Sequence, residues 1–163
     1  MKNPIVVNPE RNPDLASFLE DELAGFKPSY RMDRDNCGFI NRELRTEIIQ
    51  LGEKPVFVYG LYRVDSYRNW LDLEDFTDNE LDRIKEAYGE KLTRKDLEKY
   101  VDSLPEEERR QYLYIPHQFL VLDGLILDAA SDMFGVENGE DRYFTSDEIP
   151  VSKFLNEKDS DLL

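Results

Sequence analysis

The stretch Tyr112–Ala130 reads YLYIPHQFLVLDGLILDAA, two apolar runs joined by Asp123-Gly124. An Asp-Gly pair between such runs predicts an antiparallel hairpin with a two-residue type I′ turn, because both turn positions require positive φ. The turn sets the register. Leu122 falls opposite Leu125, Val121 opposite Ile126, Leu120 opposite Leu127 and Phe119 opposite Asp128. Side chains alternate faces, so His117, Phe119 and Val121 share a face with Ile126, Asp128 and Ala130. His117 and Asp128 are then diagonal neighbours within hydrogen-bonding reach. A carboxylate on an apolar strand face demands a partner, since burial of an unpaired charge is costly. The only histidine of the chain stands beside it.

Upstream, Cys37, Ile40, Leu44, Ile48 and Leu51 recur at helical spacing, with Asn36 or Asp35 as N-cap and Gly52 where a C′ glycine would end the helix. Cys37 therefore lies in a first helical turn, on the inward face. There the positive end of the helix dipole and the backbone N–H groups favour a thiolate. An earlier helix is predicted from an Asp14 N-cap through Leu15, Phe18, Leu19, Leu23 and Phe26, stopped by Pro28. Pro55–Tyr62 (PVFVYGLY) reads as a buried strand. Residues 65–111 change character. Charges dominate, and Thr77 with Glu80 and Thr93 with Asp96 look like capping boxes of a helical insertion, read as a solvated cover or a lid. Residues 136–163 form an acidic tail in which Tyr143-Phe144 and Ile149–Val151 suggest a short edge element. The expected fold is α+β: N-terminal helices, with the Cys37 helix packed on an antiparallel sheet that includes the His117–Asp128 hairpin, in one domain spanning residues 1–163.

The chain has 163 residues, with 36 acidic against 21 basic side chains and a formal charge of −15. Such an excess repels nucleic-acid phosphates and anionic membranes, so neither is an expected partner. One cysteine permits no internal disulfide, and one histidine excludes a multi-histidine metal centre. No metal and no cofactor are expected. Residues 33–38 (DRDNCG) open like a calcium loop, but Leu44 stands where the bidentate acid is needed. No segment is long and apolar enough for a membrane span, and the first residues lack the apolar core of a signal peptide, so a reducing, cytoplasmic setting is expected.

Cysteine at a helix start, then a strand, then a histidine opening a strand that turns into one ending in aspartate resembles the papain-like/transglutaminase-like cysteine protease core. The run His117–Phe134 is similar to that family's His, strand, Asp-Gly turn, strand, Asp pattern. The resemblance covers about residues 36–62 and 112–135. It differs at Gln118, at Ala130 and in the length of chain before the histidine. It implies Cys37 as nucleophile, His117 as base and acid, and Asp128 as the group orienting the imidazole. The reaction would be acyl transfer from a peptide or amide, to water or to an amine. Asn36, Tyr59 and Gln118 are the candidates for oxyanion or substrate binding. The competing class is a non-catalytic acidic module, an inhibitor or nucleic-acid mimic that binds a basic protein surface.

Overall fold

The computed structural model describes residues 12–26, 36–68, 70–130 and 141–154. It is an α+β fold whose four strands form one antiparallel sheet. The chain divides into two compact units, where the sequence reads as one domain with an insertion. One unit comprises residues 1–62 and 116–163, and the other residues 63–115.

The first unit begins with α1 (Pro13–Glu22). Its N-cap is Asn12 rather than Asp14, since the Asn12 side chain accepts from the Leu15 N–H. Pro13 suits the next position because it lacks an N–H and its φ is already helical. The helix ends at Glu22, short of the expected Phe26. Helix α2 (Cys37–Gln50) buries Cys37, Ile40, Asn41, Leu44 and Ile48 on one face. Asn36 holds the N-cap position without a side-chain capping bond, and Asp35 lies outside the described residues. Gly52 ends the helix at φ +93°, with Gly52 N–H bonded to the Ile49 carbonyl and Glu53 N–H to the Ile48 carbonyl. That pair of bonds is the Schellman arrangement, which needs a residue tolerant of the left-handed region.

Strands β1 (Val56–Arg63), β2 (Tyr114–Leu122), β3 (Leu125–Leu127) and β4 (Tyr143–Phe144) lie in the order β3-β2-β1-β4. The β2–β3 register pairs Leu120 with Leu127, Val121 with Ile126 and Leu122 with Leu125. Asp123 and Gly124 sit at φ 43° and 83°, as a type I′ turn requires. β4 pairs with β1 at Leu61–Phe144 and Tyr62–Tyr143, and Phe144 bridges Pro150, so residues of the acidic tail complete the sheet. At Gly60 a Cβ would stand 2.3 Å from the Phe144 carbonyl oxygen, so only glycine lets these two strands come this close. Every residue from Phe119 to Leu122 and from Leu125 to Ala130 is buried, so the hairpin belongs to the core.

The second unit carries α3 (Asp78–Tyr88), α4 (Arg94–Asp102) and α5 (Glu106–Arg110). Thr77 with Glu80 and Thr93 with Asp96 close reciprocal capping boxes at the starts of α3 and α4. A carboxylate at the third helical position returns to the cap's own N–H, which satisfies two donors that the helix cannot. Leu71, Phe76, Ile84, Leu97, Val101 and Tyr112 form this unit's own core. Among the described residues, no helix is long and apolar enough to cross a membrane.

Candidate active site

Three elements of the first unit deliver the central side chains. α2 supplies Cys37 and Asn41, one helical turn apart on its inward face. β2 supplies His117, and Asp128 follows β3 directly. The two-residue turn makes this possible, because a hairpin without slack fixes which residues of its strands oppose each other.

Asp128 is fully buried, and each of its oxygens accepts two hydrogen bonds. Oδ1 accepts from Asn41 Nδ2 at 3.0 Å and from the Ala130 N–H at 2.9 Å. Oδ2 lies 2.7 Å from His117 Nε2 and accepts from the Tyr143 hydroxyl at 2.8 Å. These four partners match the accepting capacity of an ionised carboxylate. Burial alone would raise its pKa. The charge and hydrogen bond of His117, with the bonds from Asn41 and Ala130, outweigh burial and hold it below the usual carboxylate range.

His117 is equally buried. Burial opposes its charge, but the Asp128 carboxylate, together with Cys37, pushes its pKa up to about 9. The imidazole is therefore protonated at neutral pH, and its Nε2–H donates to Asp128. Aromatic rings close around it: Tyr62 edge-on at 5.7 Å, Phe119 stacked at 6.0 Å and Tyr143 tilted at 6.1 Å between centroids. These rings exclude water, so the charges interact in a medium far less polar than solvent.

With Nε2 committed to Asp128, Nδ1 is the ring nitrogen that can serve the sulfur, and it is buried. Burial pushes the Cys37 thiol up. A hydrogen bond and charge from His117, with a hydrogen bond from the Gln118 main chain, lower it more, so its pKa falls below the ordinary thiol value. Cys37, His117 and Asp128 thus form one chain: a sulfur inclined to the thiolate, a protonated ring and an ionised acid. Such an arrangement can supply a nucleophile with its proton carrier already oriented.

The remaining candidates separate. Gln118 lies against the first turn of α2, where a Cβ on Gly38 would come within 2.2 Å of Gln118 Oε1. That oxygen and Asn36 Nδ2 are buried without a hydrogen-bond partner. Tyr59 is not brought to the site. It is 65% exposed on the face of β1 opposite Tyr62, with its ring against Phe57. Period-two alternation dictates this once Tyr62 faces the imidazole. Sequence reasoning missed Asn41 and the role of Tyr143. The signal for Asn41 was a polar residue four positions after Cys37, on the inward face of its helix. Tyr143 carried no local signal. Among the described residues, no cluster of histidine, cysteine and acids could hold a metal ion.

No protein-family model matches the chain, and no curated protein or solved structure matches it either.

Proposed function

We propose that the chain is a cysteine-dependent hydrolase or acyltransferase that acts on a peptide or amide bond through a thioester on Cys37, built on a papain-like/transglutaminase-like core. One observation carries this reading. The imidazole of His117 is held by a fully bonded carboxylate at 2.7 Å, and its charge draws down the pKa of the Cys37 thiol in the first turn of α2.

The Cys37 thiolate attacks the amide carbonyl carbon, and the π electrons move onto oxygen. Asn36 Nδ2 and the backbone N–H groups of the helix start stabilise that oxyanion. The tetrahedral adduct collapses as the C–N bond breaks, and the leaving nitrogen takes the proton from His117. A thioester and a neutral imidazole remain. Water or a second amine then gives its proton to His117 and attacks the thioester, and the thiolate departs to restore the ion pair. Asp128 stays ionised throughout and keeps the ring aimed. The buried donor of Asn36 and buried acceptor of Gln118 complement an amide, which offers a carbonyl oxygen and an N–H.

The test is alkylation of the only cysteine with iodoacetamide, a reagent small enough for a residue that is 4% exposed. The reading expects labelling at pH 6–7 faster than glutathione's and a loss of about 10- to 100-fold in His117→Ala, the worth of one charge-assisted contact. A thiol as slow as glutathione, indifferent to His117, sinks it.

A second reading rests on a groove of about 580 Å³ between α1 and α2, lined by Glu22, Glu43 and Glu47 beside Leu23 and Phe26. Three carboxylates beside two apolar side chains suit a basic protein segment with an apolar anchor. An inert thiol together with salt-sensitive binding of a basic peptide would favour this non-catalytic module.

A further inference from the structure

Asn41 is fully buried, and its carboxamide uses donors and acceptor together. Nδ2 donates to the Gln118 carbonyl at 2.8 Å and to Asp128 Oδ1 at 3.0 Å, while Oδ1 accepts from the Ala129 N–H at 2.9 Å. The first contact is to the residue after His117. The second is to the carboxylate that holds His117, and the third is to the residue after that carboxylate. All three depart from the helix that carries Cys37 four positions earlier.

We propose that Asn41 is the positioning residue of this site, a bracket that holds the Cys37 helix at one spacing from both strands of the His117–Asp128 hairpin. The proposal rests on the cysteine-enzyme reading for its catalytic consequence, and on the three hydrogen bonds for its geometry. No other common side chain serves equally. Aspartate would turn an oxygen toward two further acceptors, the Gln118 carbonyl and Asp128. Leucine would remove a donor from the Gln118 carbonyl, one of the two donors from Asp128 Oδ1, and the acceptor of the Ala129 N–H. Glutamine would push the helix outward by one methylene. Hydrophobic packing sets only the approximate distance between a helix and a sheet. A nucleophile and its base need agreement within about half an ångström, which a bracket of directed bonds supplies.

The groups that titrate around this bracket are Cys37 from α2, His117 from β2, Asp128 after β3, and Tyr62 and Tyr143 from β1 and β4. Burial and the Asp128 charge raise Tyr143 well above the usual phenol range, so Cys37, His117 and Asp128 govern the profile near neutrality.

The experiment uses the full chain, whose single cysteine and single histidine each give one unambiguous signal. Asn41→Ser keeps a small polar group that cannot reach all three partners. Its Cys37 should react with iodoacetamide about 10- to 100-fold more slowly at pH 7 than the wild-type thiol, with the onset of reaction moved to higher pH, on the scale of one hydrogen bond to a charged group. The His117 ring should titrate at a lower pH by NMR. A merely structural Asn41 predicts a lower melting temperature with both profiles unmoved, and that result overturns the proposal. If Asn41→Ser does not fold, the wild-type Asn41 side-chain amide resonances decide. They should shift with the same midpoint as the His117 ring, and independence from that midpoint overturns the proposal. A wild-type thiol that is inert while the Asn41 and His117 signals move together would reject the enzyme and retain the bracket.

Discussion

Asp128→Asn keeps the shape of the side chain and removes its charge from beside a buried imidazole. With the carboxylate in place, His117 titrates at about 9, against an ordinary value of 6.5. That difference corresponds to about 3 kcal/mol of preference for the protonated ring. Burial, the largest single influence on the ring, works against its charge, and without Asp128 only Cys37 opposes burial, so the ring should titrate below 6.5. At pH 7 the protonated share should drop from about 99% to less than about 25%. Proton NMR of the single histidine reads this directly, and alkylation of the single cysteine reads its consequence, a slower thiol at neutral pH. Stability follows with a defined sign. The folded value of His117 lies above its unfolded value, so its contribution is complete below 6.5 and disappears as pH rises through about 9. Asp128 has a lowered value, so its contribution is complete above 3.8 and disappears as pH falls through the folded value. The wild-type denaturation midpoint should therefore decline on the alkaline side, and Asp128→Asn should lose that decline. A ring still titrating above about 8 in the variant would refute the reasoning, because Cys37 and not Asp128 would then carry the shift.

Gly38→Ala separates stability from chemistry. Alanine favours a helix by roughly 0.5–1 kcal/mol over glycine in a helix interior, so the melting temperature should not fall. The new Cβ must displace Gln118 Oε1, which it would otherwise meet at 2.2 Å, so turnover of an amide substrate should drop; equal activity would remove Gln118 from the substrate site. Gly60→Ala should destabilise the fold by about 1–3 kcal/mol in urea denaturation, because its Cβ meets backbone that cannot swing aside, the Phe144 carbonyl at 2.3 Å. An unchanged midpoint would mean that β1 and β4 separate at little cost.

Much of the site was written locally. Asp123-Gly124 names its own turn, because few residue pairs tolerate two positive φ values, and the turn then sets which side chains of the two strands face each other. The meeting of His117 and Asp128 follows from counting outward. The inward placement of Cys37 follows from helical spacing, and the capping boxes at Thr77 and Thr93 follow from residues three apart. The α1 cap was misplaced by two residues, since Pro13 fits the first helical position as well as Asp14 fits a cap. Tyr59, a candidate for the site, lies on the face of β1 away from Tyr62; alternation gives relative parity along a strand and not which parity looks inward.

The sequence by itself thus determined the hairpin, the helix around Cys37 and the pairing of ring and acid, since each depends on residues a few positions apart or on a turn without slack. Only the tertiary structure decided that Asn41 spans 77 and 87 positions to reach Gln118 and Asp128, and that Tyr143 returns on β4 to complete the carboxylate's shell. Directed bonds between distant segments depend on how helix and sheet dock. Docking is set by the summed packing of many side chains, which no short window of sequence contains.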